Sequence, residues 1–273
     1  MARFDDIISD NRSGSGSILK NCQQALLHLA REKEPVSADF VFKKMDALLQ
    51  NFPYFGLLYH FHEALKTHFS EERLTSQNLV EFISSYERQW KSAQDESSRH
   101  VIEKVDFEAK RVLLHSNSSA LQNLFGQVRD KAPHCELFQT FSSPAGEGQN
   151  QAEALSKLGF RVTMIHEDAI GKFIDNIDFG LFGSDLLLDD AFINKTGTFP
   201  LALMLNHFHK PVYVITERRK VRSTGASDIV DKITNETPKP FREIYQGKLQ
   251  EIDAVNHYFE LIPLSLVNEV FLD

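Results

Sequence analysis

Asp185, Asn194 and Lys195, followed at once by Gly197 and Thr198, are the residues of this sequence whose types and spacing best suit chemistry. An apolar run from Ile177 to Phe182 stops at Gly183, and acids follow at Asp185, Asp189 and Asp190. A carboxylate can accept or deliver a proton, and an ammonium can neutralise an anion. Thr196-Gly197-Thr198 opens an amphipathic helical pattern, whose first N–H groups have no partner within the helix and favour anions. Together these groups suit a phosphorylated polyol. An acidic strand–helix loop with a solvated lysine would carry the same residues, so the pattern by itself leaves both readings open.

The elements around that stretch decide what can converge on it. From Phe107 onward, short apolar runs alternate with helical patterns: strands are expected at 112–114, 136–141, 160–165, 177–182 and 211–216. Repeated strand–helix alternation implies parallel strands with helices on both faces, and such sheets bind ligands beyond the carboxyl ends of their strands. The loops placed there hold His115, Ser116, Asn117 and Ser118; Ser142, Ser143, Gly146 and Gln149; the Gly183–Thr198 stretch; and Glu217 to Lys220. The first hundred residues read instead as amphipathic helices, with apolar residues at Ile18, Leu19, Cys22, Ala25, Leu26 and Leu29 sharing one face. Ser37 is placed to cap the next helix. The apolar face thins from Lys91 to Glu103. The expected organisation is a helical domain over 1–103 and a Rossmann-like, doubly wound α/β domain over 104–273. From the helical part, Arg12-Ser-Gly14-Ser15 adds a guanidinium and a glycine-containing helix start to the same crevice.

Composition narrows the function classes. The net charge of −8 in 273 residues argues against nucleic acid as a direct partner, since phosphate backbones are met by basic surfaces. No apolar run reaches the length of a membrane span, and Met-Ala-Arg-Phe-Asp-Asp has no signal-peptide core. Only Cys22 and Cys135 are present, which fits a reducing cytoplasm better than a disulfide framework. His60 and His62, like His207 and His209, are two apart and do not share a helix face, so no metal is expected. No Walker lysine follows Gly14 and Gly16, Ser116 lacks a nucleophile-elbow frame, and no cofactor is implied.

The ordered set of motifs resembles the initiation factor 2B α/β/δ family, which includes 5-methylthioribose-1-phosphate isomerase and ribose-1,5-bisphosphate isomerase. Gly183-Ser184-Asp185 looks like the family's Gly-Ala-Asp, and Asn194-Lys195-Thr-Gly197-Thr198 matches Asn-Lys-x-Gly-Thr. Pro211 to Val214, with Glu217 and Lys220, is similar to the strand that follows. Asn256-His-Tyr-Phe259-Glu-Leu-Ile-Pro263 resembles the closing Asn-Pro-x-Phe-[Asp/Glu]-x-x-Pro. The resemblance implies dimerisation through the C-terminal domain and, in the regulatory subunits, a guanine-nucleotide exchange complex acting on initiation factor 2. It also implies a phosphorylated sugar or nucleotide as ligand.

Two departures matter. The isomerases place a cysteine and an aspartate at the reacting carbons; the aspartate corresponds to Asp185, but the cysteine's motif here reads Leu114-His115-Ser116-Asn117. A hydroxyl is far less acidic than a thiol of pKa about 8.5. The family's phosphate-holding arginine is replaced by Ser143, in Phe141-Ser-Ser143-Pro144, which removes a bidentate contact. Arg12, Lys195 and the backbone near Gly197 are left to hold a single phosphate. Members usually continue past the position of Asp273, and without that tail the crevice would be more open. The reading that follows is a non-catalytic regulatory or binding member. The alternative is an aldose–ketose isomerase on a sugar 1-phosphate, with Asp185 as acid/base and Ser116, aided by His115, in the cysteine's place.

Overall fold

A computed structural model describes residues 3–273 apart from 11–12, 33–35, 72, 224–225, 236–238, 240 and 249–250. The chain begins with six helices: α1 Phe4–Ile8, α2 Ser15–Glu32, α3 Ala38–Asn51, α4 Gly56–Glu71, α5 Ser76–Gln89 and α6 Ala93–Lys104. Ser37 and Thr75 start α3 and α5 by accepting a hydrogen bond from the backbone N–H three residues on, which satisfies one of the orphan donors of each first turn. Ile18, Leu19, Cys22 and Leu26 of α2 meet Met45 and Leu48 of α3, Leu58 and Phe61 of α4, and Ile83 and Tyr86 of α5 in one apolar core. The thinning apolar face after Lys91 is itself helical: α6 buries only Ala93, Ser97, Ser98 and Val101, and Val101 joins the core of the following sheet rather than that of the helices before it.

The sheet comes next: β1 Arg111–Leu114, α7 Ser119–Val128, β2 Glu136–Thr140, α8 Gly148–Lys157, β3 Arg161–Ile165 and β4 Phe179–Phe182. After them run β5 Leu186–Leu187, β6 Ala191–Lys195, α9 Thr198–His207, β7 Val212–Ile215, α10 Ala226–Thr234, β8 Phe259–Pro263 and β9 Glu269–Phe271. Six strands in the order β3-β2-β1-β4-β7-β9 are parallel throughout, the arrangement of a doubly wound fold. Alternation of side chains along β1 serves both layers: Val112 and Leu114 face the α7 core with Leu121, Leu124 and Phe125. Leu113 faces the α9 core with Phe182, Leu201 and Leu205. The five strands expected from periodicity are all present; β9 was not foreseen.

One region differs from the sequence reading. The polar stretch after β4 is not a loop but a hairpin, β5 and β6, extended by β8 into an antiparallel sheet. Asp189 and Asp190 fall in its turn and are exposed, so of the three acids only Asp185 remains near the strand ends. Helix α9 is apolar on more than one side: Leu201, Ala202 and Leu205 are buried, while Leu203 and Phe208 beside it stand in solvent. Among the described residues no helix is long and apolar enough to cross a membrane.

Candidate functional site

The carboxyl ends of β1 and β4 and the β5–β6 hairpin face the start of α2 across a cavity of about 300 Å³. Its strand side is lined by His115 to Ser119, Glu147, Gly183 to Asp185, Asn194, Lys195 and Lys220; its helical side by Ser13 to Ser17, Phe52 and Phe55. The start of α2 lies directly against the loop after β1. A Cβ on Gly14 would come within 2.8 Å of the Asn117 carbonyl oxygen, and one on Gly16 within 2.7 Å of Ser119 Oγ, so the two glycines permit the contact.

That loop is held from below by buried polar groups. His115, fully buried, has Nε2 at 3.0 Å from the Thr196 carbonyl oxygen, so Nε2–H donates and Nδ1 accepts from the Thr140 hydroxyl at 2.7 Å. Burial lowers its pKa to about 3, so the imidazole is neutral and acts as a strut between loops. Ser142 Oγ accepts from the Ser116 N–H at 2.8 Å, and Gln151 Oε1 accepts from the Ser118 N–H at 2.7 Å. Ser116 and Ser142 both adopt positive φ, 67° each, in the left-handed region that costs non-glycine residues energy and persists where surroundings impose it. Here the interlocked hydrogen bonds supply that constraint.

Two acid–base pairs stand on this floor. Lys195 Nζ lies 3.1 Å from Glu147 Oε1, both side chains being nearly inaccessible. Ser116 Oγ donates to the same oxygen at 3.2 Å, and the ammonium also stands 4.8 Å from the Tyr258 ring centre. Burial raises the Glu147 pKa against the opposing effect of Lys195. Asp185 is fixed through its backbone: its N–H donates to Ile193 and its carbonyl accepts from Gly56 N–H, each at 2.9 Å. Burial raises its carboxyl pKa, opposed by Lys220, by a hydrogen bond from Ser15 and by Lys195. Lys220 Nζ donates to the Ser184 carbonyl at 2.6 Å. A carboxyl whose pKa burial raises, set beside an ammonium, is a candidate for proton exchange, and both groups can hold hydroxyl groups.

The start of α9 is not bare. Gly197, at φ 106°, takes the left-handed conformation from which the helix departs, and its ring neighbour His115 leaves no room for a side chain, at 2.9 Å from a Cβ built there. Glu260 Oε1 on β8 accepts from Gly197 N–H at 2.8 Å and from Phe199 N–H at 2.7 Å. The anion this helix start favours is therefore the protein's own carboxylate. Thr198 is fully buried, its hydroxyl donating to the Lys195 carbonyl at 2.6 Å and accepting from Asn194 Nδ2 at 3.0 Å.

The residues singled out from the sequence thus divide. Gly14, Ser15, His115, Ser116, Asn117, Gly183, Asp185, Asn194 and Lys195 line one cavity. Gly197 and Thr198 support it from behind, without lining it. Ser143 lies aside, its N–H donating to Glu167 Oε1 at 2.5 Å, and Gln149 is exposed with its amide on the Gly146 carbonyl. Arg12 lies outside the described residues. Glu147, Tyr258 and Lys239 line the cavity without having been singled out. The one available signal for Glu147 was its place in the loop after β2, where other candidates were already sought. Among the described residues no group of three or more His, Cys, Asp or Glu could hold a metal ion.

Residues 43–273 match the Initiation factor 2 subunit family. The chain belongs to that family. Ribose 1,5-bisphosphate isomerase of Methanocaldococcus jannaschii is 25% identical over 163 residues, which cover 59% of this chain and 53% of that protein. The chain thus matches about half the length of that curated relative. The same fold recurs in the crystal structure of Pyrococcus horikoshii translation initiation factor eIF-2B, with a TM-score of 0.80 at 19% identity over 98% of this chain and 92% of that one. It recurs more distantly in the tetrameric eIF2B-beta2-delta2 complex of C. thermophilum, with a TM-score of 0.62 at 13% identity over 98% and 86% of the two chains. The proteins this chain is similar to thus include one named as a sugar-phosphate isomerase and structures named as translation initiation factors.

Proposed function

We propose that this chain is a non-catalytic binding or regulatory member of the family whose cavity holds a phosphorylated sugar or nucleotide. The observation that carries this reading is the chemistry at Ser116. Its hydroxyl is tied to Glu147, and neither cysteine of the chain is near enough to line the cavity. Cys22 is packed in the helical core against Met45 and Cys135 in the core of the sheet, each thiol pushed up to about 12 by burial. Proton transfer during isomerisation calls for groups whose pKa lies near the working pH, and a serine hydroxyl does not meet that need. The apolar outer side of α9, with Leu203 and Phe208, and the exposed Met164 on edge strand β3 support assembly as a homodimer or larger complex through the C-terminal region. The proposed setting is a translation-factor complex in the cytoplasm, and the shared fold of the tetrameric eIF2B neighbour supports it.

A specific observation favours the second reading, an aldose–ketose isomerase. Asp185 and Glu147 both line the cavity with pKa values raised by burial, so two carboxyls stand where an acid and a base would be wanted. Incubation of the pure protein with ribose 1,5-bisphosphate and with 5-methylthioribose 1-phosphate separates the two. The binding reading predicts no conversion of either; conversion that disappears in Asp185→Ala overturns it.

A further inference from the structure

We infer that the ligand of the cavity carries a heteroaromatic base, seated in a groove that adjoins the cavity, and that His62 is the residue that reads it. The inference rests on the cavity being a phosphosugar or nucleotide site, and it decides for the nucleotide: the phosphorylated sugar in the cavity, the base between the α3–α4 hairpin and α10.

The groove runs between the α3–α4 hairpin on one side and Arg222 and α10 on the other, and holds about 880 Å³. Asn51 and Lys239 line both the groove and the cavity, so the two spaces meet at these residues. Asn51 is fixed there by its amide, which donates to the Ile8 carbonyl at 2.6 Å. The cavity alone, at about 300 Å³, stands at the lower limit of small-molecule sites, which run from roughly 300 to 1,000 Å³. It has room for a phosphosugar, and a larger ligand continues into the groove.

His62 is the polar group there that the fold leaves unanswered. It is 2% exposed and lines the groove, and neither ring nitrogen has a hydrogen-bond partner among the described residues. Asp46 Oδ1 comes to 3.4 Å from Nε2, but outside hydrogen-bond geometry. Buried polar groups are nearly always hydrogen-bonded, so one left over marks the place of a missing partner. That partner is not a metal ion, since no group of three or more His, Cys, Asp or Glu among the described residues could hold one. Burial lowers the His62 pKa, and Lys66 adds to that effect against Asp46 and Glu63. The ring is therefore neutral, with one donor and one acceptor nitrogen. The rest of the lining does not select a charge either, because Asp46, Glu63 and Asp231 are offset by Lys66, Arg222 and Lys232. What it offers is a flat surface: the Arg222 guanidinium stands 4.4 Å over the centre of the Tyr59 ring. Bases stack on aromatic rings and on guanidinium planes alike. Their edges set donors beside acceptors, so a base can meet His62 in either tautomer.

Calorimetric titration of the wild-type protein with ribose 5-phosphate, adenosine 5′-monophosphate and guanosine 5′-monophosphate tests this, repeated on His62→Phe, which keeps a ring and removes both nitrogens. At least one nucleotide is expected to bind the wild type about tenfold or more tighter than ribose 5-phosphate. His62→Phe should lose most of that advantage while its affinity for ribose 5-phosphate stays unchanged. Arg222→Met, on the opposite wall, makes the same test if His62→Phe does not fold. Nucleotides bound no tighter than ribose 5-phosphate overturn the inference and leave the phosphosugar reading standing. An advantage kept in full by His62→Phe, or by Arg222→Met in its stead, overturns it as well. If none of the three compounds binds, the reading of the cavity as a phosphosugar site fails, and the base subsite fails with it; that result differs from equal binding of all three.

Discussion

Replacing Glu260 by alanine tests whether the start of α9 is closed by the protein's own carboxylate. The side chain accepts from Gly197 N–H at 2.8 Å and Phe199 N–H at 2.7 Å. Hydrogen bonds to a charged acceptor contribute about 1.5–3 kcal/mol each, and a helix start without its acceptor typically loses about 1 kcal/mol. Glu260 is only half-buried, so water would replace part of what is lost, and burial has already raised its pKa. The expected net cost of Glu260→Ala is about 2–3 kcal/mol, read from urea unfolding followed by circular dichroism. For a domain of this size that corresponds to a fall of roughly 5–10 °C in Tm. The freed N–H groups become an anion site, so inorganic phosphate should stabilise Glu260→Ala more than wild type, because a ligand that binds only the folded state raises its stability. A loss below about 0.5 kcal/mol, with no added response to phosphate, would refute the reasoning.

Other consequences follow from the same geometry. Arg219→Ala removes the nearly buried ion pair with Glu217, 2.5 Å apart, and the guanidinium that lies over Tyr86 and Trp90. It should destabilise by about 3–5 kcal/mol and change the fluorescence of the chain's one tryptophan; an unshifted emission spectrum would contradict that packing. Gly14→Ala should weaken the docking of α2 on the loop after β1 by about 1–3 kcal/mol, since its Cβ would meet the Asn117 carbonyl oxygen; unchanged unfolding in urea would count against it. The raised pKa of Glu147 makes a signed prediction. A carboxyl whose folded pKa exceeds its unfolded value stabilises the fold fully below the unfolded value, and that contribution is lost as pH rises through the folded one. Glu147→Gln should therefore flatten the stability profile above pH 4.5, the ordinary value for this carboxyl; a profile parallel to wild type would exclude it.

Much of the fold was legible because it is local. Val112 and Leu114 alternate with Leu113, Ser37 and Thr75 stand one residue before helical patterns, and β1 and β2 are each followed by a helix. The antiparallel sheet was not legible because its evidence is not local. Ala191 to Lys195 is buried throughout, yet two of its five residues are Asn194 and Lys195, and polar residues read as loop when their partners are unknown. Those partners lie on β8, more than sixty residues on, where Lys195 pairs with Phe259 and Asn194 with Glu260. The same distance hid the capping of α9, since only the pairing of β6 with β8 brings Glu260 to Gly197. In the cavity, Asp185, Asn194 and Lys195 were recognisable by type and order. Glu147 was not, because what makes it consequential is a buried lysine nearly fifty residues away, and sequence spacing carries no trace of that pairing.

The cavity is proposed to bind a phosphorylated sugar and to leave it unchanged. Phosphorus NMR of ribose 1,5-bisphosphate and of 5-methylthioribose 1-phosphate, each incubated with wild-type protein, tests it most directly when the same preparation is first shown by calorimetry to bind ribose 5-phosphate. The expected result is binding of the monophosphate, lost or weakened in Asp185→Ala, and phosphorus spectra that keep only the starting resonances. New product resonances that vanish in Asp185→Ala would contradict it.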